Sequence, residues 1–141
     1  MNSHNLAINL YLVITIFVTG CTANPIIIDQ KYTFPEFEEV SNLSNFNLMG
    51  WEVVDSQSII IQTGPSEYYL LVLGHRMSDL NFAETIILTS TGNRIEAKFD
   101  CVEVVEPTCS PRSIPAVINT IYKLDGQSGV SYVKNKIRQP G

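Results

Sequence analysis

Two short runs constrain the fold of this chain more than any other feature. Ile59-Ile60-Ile61 and Leu70-Leu71-Val72-Leu73 are apolar at every position. Successive side chains of a strand point to opposite faces of its sheet, so both faces of these two strands need a cover. A flat sheet with one wet face would alternate instead. Turn chemistry brackets the runs: Asp55-Ser56-Gln57-Ser58 before the first, Gly64-Pro65-Ser66 between them, and Gly74 after the second.

Further strand signals flank this pair. Together with the two runs, Trp51 to Asp55, Phe82 to Thr89 and Arg94 to Val105 make a series of strands about a dozen residues apart, the spacing of an antiparallel meander. Arg94 to Val105 is the longest candidate. Ile95, Ala97 and Phe99 would point one way, with Arg94, Glu96, Lys98 and Asp100 opposite. The apolar phase then flips to Val102 and Val104, as a β-bulge or a barrel corner would make it do. The expectation is an all-β fold: a small bent antiparallel meander or partly closed barrel with a short C-terminal helix or turn.

The ends of the chain read differently. Ile114, Val117, Ile118 and Ile121 fit a helical stripe that starts near Pro115, yet Val117 to Leu124 also suits a closing strand. A short helix or turn followed by a strand is the reading that uses both signals. Residues 127–141 read as a polar, basic tail with Lys134, Lys136 and Arg138. Residues 21–46 read as a tether and irregular lead-in, leaving 47–126 as the β domain. Within the tether, Ile26-Ile27-Ile28 could dock on that domain or lie at a lipid surface.

Before Asp29 the chain has no Lys, Arg, Asp or Glu. Leu6 to Val18 is apolar apart from Asn9 and Thr15, and as a helix would measure about 20 Å against a hydrocarbon core of about 30 Å. That is short for a span and right for a signal-peptide core. Val18-Thr19-Gly20-Cys21 follows and looks like a bacterial lipobox, with Cys21 as the lipid acceptor and residues 1–20 as the leader. The n-region departs from the usual pattern, since it has His4 but no Lys or Arg. Acylation would anchor the mature chain durably. Thr22 rather than Asp after the acceptor implies outer-membrane sorting, so the expected location is the cell envelope, facing the periplasm or the cell surface.

Cysteine usage fits that address. Three Cys are an odd number; if Cys21 carries lipid, Cys101 and Cys109 remain as a pair in an oxidising compartment. Pro107 favours a bend between them, and a bridge over so short a loop would be worth roughly 2–3 kcal/mol. The alternative is two unpaired small hydrophobes.

Several residues carry a resemblance. Trp51-Glu52-Val53-Val54-Asp55, Tyr69-Leu70, Asp79-Leu80-Asn81-Phe82-Ala83, Arg94 to Val105, and Cys109 with Ile118 and Ile121 together resemble a family of small proteobacterial lipoproteins known only as a domain of unknown function. The resemblance spans roughly residues 47–125 and implies neither activity nor ligand. Relatives in that pattern carry a Cys before the Asp-Leu step, where this chain has Met77. The bridge between Cys101 and Cys109 therefore rests on the count above rather than on the family.

The formal net charge of −5 leaves no basic excess for phosphates and disfavours nucleic acid as a partner. The mature chain has one His and no clustered Cys, so no zinc constellation forms, and no Asp-rich loop has calcium spacing. No Gly-rich phosphate loop or nucleophile elbow occurs. Asp55, Asp79 and Asp100 could pair as acid and base, but turn and strand-end roles explain them more simply. Glu36, Glu38 and Glu39 read as a solvated face. No catalytic residue, metal or cofactor is expected.

What remains is a candidate recognition patch: Tyr68 and Tyr69, which are adjacent and so face opposite ways, with His75, Arg76 and Asp79 in the following loop. The functional expectation is a lipid-anchored, non-catalytic module that binds an envelope protein or a small ligand. A structural or assembly accessory of an outer-membrane complex is the alternative, and a periplasmic enzyme is further behind.

Overall fold

A computed structural model describes residues 28–90, 92–105 and 113–139. The leader 1–20, Cys21 and Cys109 lie outside the described residues. Among the described residues nine strands run in chain order: β1 Glu38–Val40, β2 Asn42–Ser44, β3 Gly50–Asp55, β4 Ser58–Gly64, β5 Glu67–Leu73, β6 Thr85–Leu88, β7 Arg94–Glu96, β8 Cys101–Val105 and β9 Ala116–Leu124. One α-helix, α1 (Gly126–Arg138), closes the chain, and short 3-10 turns occupy Gln30–Tyr32 and Leu80–Phe82. The main sheet has the order β3-β4-β5-β9-β8-β6, entirely antiparallel, with β1 also on β9. It curls into a half-barrel, and a separate β2–β7 ladder adds Leu43 and Ile95 to the concave core.

The two apolar runs behave as their pattern requires. Ile59, Ile61, Leu71 and Leu73 fill the concave core with Leu43, Ile95, Val102, Val104, Ala116, Ile118 and Ile121. Their neighbours Ile60, Leu70 and Val72 point to the convex face, where Tyr32, Phe34, Val130, Val133 and Ile137 cover them. Burial of this kind contributes about 25 cal/mol per Å² of apolar surface, which is why both faces of β4 and β5 hold their partners.

Four local expectations need correction. Arg94 to Val105 is two strands rather than one. β7 pairs with β2 and β8 with β6 and β9, and between them residues 97–100 form a turn with Lys98 at φ 71°. The Glu96 carbonyl accepts from the Phe99 and Asp100 N–H groups, while the Asp100 carboxylate accepts from the Glu96 N–H at 2.7 Å. The phase flip is therefore a corner, and Phe99 faces solvent instead of sharing the face of Ile95.

The segment from Ile114 to Ile121 contains no helix; β9 runs through it. Ile118 and Ile121 share the concave face at a helix-like spacing because the ladder shifts there. Leu73 pairs with Ile118 but Val72 with Thr120, so β9 carries one extra residue, Asn119, opposite β5. A bulge has produced the i, i+3 pattern.

The polar tail is a helix, and the lead-in is part of the fold. Val130, Val133 and Ile137 form the buried stripe of α1. Gly126, at φ 57°, makes the sharp reversal from β9. At Gly129 a side chain would meet Leu124 Cβ at 3.2 Å and Phe37 Cε1 at 3.3 Å, so its absence lets α1 lie close to the sheet. Tyr32 and Phe34, expected in an irregular lead-in, are fully buried, and Glu38–Val40 pairs with β9.

Candidate functional site

The five residues of the sequence-derived patch sit at the two ends of β5. Tyr68 and Tyr69 lie near the start of the strand, His75, Arg76 and Asp79 follow its end, and Leu70 to Gly74 separate the groups by ~20 Å. Tyr68 packs against the convex core and Tyr69 against the concave one, both half-buried. At the far end, a concavity of about 340 Å³ groups His75, Arg76 and Asp79 with Met77, Ser113 and Ile114. His75 and Arg76 are exposed there, Met77 is buried, and its N–H donates to the Ser56 carbonyl at 2.7 Å, fixing the loop to the β3–β4 turn. The structure thus brings the charged residues of the loop together and keeps the tyrosines apart from them.

The tyrosine end has more definite walls. Gly50, Gln62, Tyr68 and Leu124 form one row across β3, β4, β5 and β9. Parity puts Gln62 and Tyr68 on the same face as Ile60 and Leu70, beneath α1. Because Gly50 has no side chain, the row leaves a cleft of about 270 Å³, bounded by Trp51, Glu52, Gln127 and Val130. The Gln62 amide N–H donates to the Gly64 carbonyl at 3.0 Å, which orients its Oε1 over the floor at Gly50. Such a cleft is at the small end of ligand sites and combines an aromatic wall with a few polar groups. Gln62 and Gln127 escaped the sequence reading, since a Gln has no distinguishing pattern until strand register aligns it.

Titratable groups cluster elsewhere and have internal partners. Asp55, at the end of β3, accepts from Lys31 Nζ (2.8 Å) and the Tyr32 hydroxyl (2.6 Å) at Oδ2, and from the Ser58 hydroxyl (2.7 Å) and the Gln57 N–H (3.0 Å) at Oδ1. Burial pushes its carboxyl pKa up, but these four donors outweigh that and hold it below the ordinary value. Burial, reinforced by the bond to Asp55, raises the Tyr32 hydroxyl to about 12. Ser58 is fully buried, and among the described residues Asp55 is the side-chain partner of its hydroxyl. Every acceptor position of the carboxylate is filled, so Asp55 works as a knot between the lead-in and the β3–β4 turn.

Helix α1 is tied by charge as well. Lys134 and Arg138 pair with Glu52, and Lys136 pairs with Glu36 at 3.6 Å. Lys136 Nζ also donates to the Thr33 carbonyl at 2.8 Å and lies 4.5 Å from the Phe34 ring centre. The Glu36 carboxyl is lowered, chiefly by the bond it accepts from the Tyr132 hydroxyl. Glu38 and Glu39 are exposed on β1. Among the described residues, no group of three or more His, Cys, Asp or Glu is placed to hold a metal ion. No described helix is long and apolar enough to cross a membrane.

Comparison with known proteins adds a family and nothing further. The family described as a family of unknown function, DUF6491, matches residues 5–140. The chain belongs to that family. No curated protein and no solved structure matches it. The half-barrel capped by α1 is accordingly a description of a DUF6491 chain from its own residues, and the cleft and the loop concavity are its two candidate sites.

Proposed function

We propose that this DUF6491 protein is a lipid-anchored cell-envelope protein that acts by binding rather than by catalysis. The observation that carries the binding part is the cleft at Gly50, Gln62 and Tyr68, whose polar groups face outward from rigid strands. Elsewhere the groups with shifted ionisation are occupied by bonds that hold the fold together. Anchoring rests on the lipobox-like Val18-Thr19-Gly20-Cys21, with the lipid on Cys21 as the membrane contact, and Thr22 after it favours the outer membrane as the address. A bridge between Cys101, half-buried at the start of β8, and Cys109 belongs to the same reading.

Mass spectrometry of the membrane-extracted protein should find an acylated amino terminus at Cys21, and an intact Met1 would remove the anchor. Non-reducing peptide mapping should join Cys101 to Cys109, whereas free thiols at both would remove the bridge. For binding, a photo-crosslinking residue at Gln127, irradiated in the native envelope, should give a discrete adduct. The same residue at Arg76 reports the loop concavity instead. Adducts from Arg76 and none from Gln127 would move the site to the far end of β5, and none from either would defeat the binding reading.

A further inference from the structure

The two end strands of the main sheet are treated differently by the chain. At β3, the Arg138 guanidinium donates to the Val54 carbonyl at 3.3 Å and the Val53 carbonyl at 3.2 Å, and Lys134 pairs with Glu52 on the same strand. A charged helix end thus blunts that edge, a common protection against stray strand pairing. At the other end lies β6, and among the described residues no strand lies beyond it.

Hydrogen-bond parity shows what β6 presents. The Thr89 N–H donates to the Cys101 carbonyl at 2.9 Å and the Cys101 N–H donates to the Thr89 hydroxyl at 2.6 Å, so Thr89 and Cys101 stand at a bonded position of the ladder, with the Thr89 hydroxyl in place of its carbonyl. Bonded and non-bonded pairs alternate along an antiparallel ladder. Ile87 with Glu103 and Thr85 with Val105 are then bonded, while Ile86 and Leu88 turn their N–H and C=O groups to the outer edge. No residue of β6 is fully buried; its burial alternates between exposed and half-buried. Ile87 is 47% exposed, Phe82 just before the strand is 86% exposed, and Thr85 to Thr89 contains no charge, Pro or Gly.

We propose that β6 is a self-association edge, on which a second copy of this chain pairs antiparallel about a twofold axis through Ile87. In that register Ile86 bonds to Leu88 of the other copy, and Leu88 to Ile86, using the four outward groups of each strand. The exposed Ile87 side chain meets its own copy in a non-bonded pair, where Cα atoms approach to about 4.5 Å. Thr85 falls opposite Thr89, and Glu84 opposite Ser90, so no like charges face each other. Self-complementarity of this kind is what a closed twofold contact requires, and it selects a second copy over an unrelated strand. Because one edge strand buries little surface, the contact belongs to the weak, concentration-dependent class, which confinement to a surface would favour.

The test uses full-length protein in the membranes of expressing cells. Ile87→Cys under mild oxidation should form a covalent homodimer on non-reducing gels. Glu103→Cys, one strand inward, should form little, and the wild type, with its own cysteines, sets the background. No dimer from I87C, an equal yield from E103C, or linkage of I87C to a different protein would each overturn the proposal. In detergent, the wild type should sediment as a concentration-dependent monomer–dimer mixture. Ile87→Lys opposes two cations across the axis and should weaken the dimer at least about tenfold, with an unchanged melting temperature. A wild type that stays monomeric at every concentration also overturns it.

Discussion

The concave and convex faces of the same strands are covered by opposite means. On the concave side, aliphatic side chains from β4, β5, β8 and β9 meet one another, and the curl of the sheet supplies the enclosure. On the convex side the sheet is covered by two pieces of chain from far ends of the sequence, 28–37 and 126–138. Aromatic contacts such as Phe34 against Tyr122, with ring centres 5.5 Å apart, join them, as do ion pairs and the Asp55 knot. A sheet that curls seals most of one face with its own strands, here completed by Leu43 and Ile95 of the β2–β7 ladder and by Met77 and Leu80 of the loop after β5. The other face needs a separate layer, and polar bonds set where that layer sits.

The comparison can be broken most forcefully in the concave core. Leu71→Ala should cost about 2–5 kcal/mol in denaturant unfolding, because the closed curl cannot collapse around the void. A cost below that range would mean the curl is looser than its burial suggests. Next comes the helix seat. Gly129→Val crowds Leu124 and Phe37 and should cost about 1–3 kcal/mol. Limited proteolysis should then cut α1 before the strands, since the concave core does not depend on it; simultaneous loss of both would erase the distinction between the faces.

Effects of comparable size sharpen the role of the polar knot. Tyr32→Phe removes one charge-assisted donor and should cost about 1.5–3 kcal/mol by the same unfolding measurement. The Asp55 carboxyl is lowered in the folded chain, so its contribution is fully present above the ordinary carboxylate value and is lost as pH falls through the folded one. Tyr32 works in the opposite direction: the folded form holds its proton more tightly, so its contribution declines as pH rises from 10 towards about 12. A melting-temperature profile should fall on both flanks, and Asp55→Asn should flatten the acid one. Smallest of all, Lys134→Ala should change stability by under about 1 kcal/mol, since its partner Glu52 is exposed.

Much of the concave face was legible from residue pattern alone, because Ile59 to Ile61 and Leu70 to Leu73 need two covers wherever they fold. The identity of the second cover was not. Val130, Val133 and Ile137 are a thin stripe in a polar segment, and Tyr32 and Phe34 sit beside prolines and glutamates that suggest a loop. Only contact with Ile60, Leu70 and Val72 makes either segment worth ordering. The bulge at Asn119 misled in a different way, since a register shift imitates helical spacing. Of the candidate site, Tyr68 was visible as an aromatic, but Gln62, Gly50 and Gln127 become neighbours only through register. The tyrosines and the His75 loop are near in sequence yet separated by a whole strand.

Strand β9 gives the fold its timing. It lies between β5 and β8, and it also takes β1, from the beginning of the described chain, on the same side as β8. Until residues 116–124 are made, the β3–β5 meander and the β6–β8 ladder have no common partner. The helix that covers the convex face is made later still. The hairpins β3–β4 and β4–β5 are local, but the pairings that join the two halves of the sheet and bring in β1 all wait for β9 and span long loops, which slows folding. Synthesis that stops short of β9 would leave the β3–β5 meander and the β6–β8 ladder without the strand that joins them.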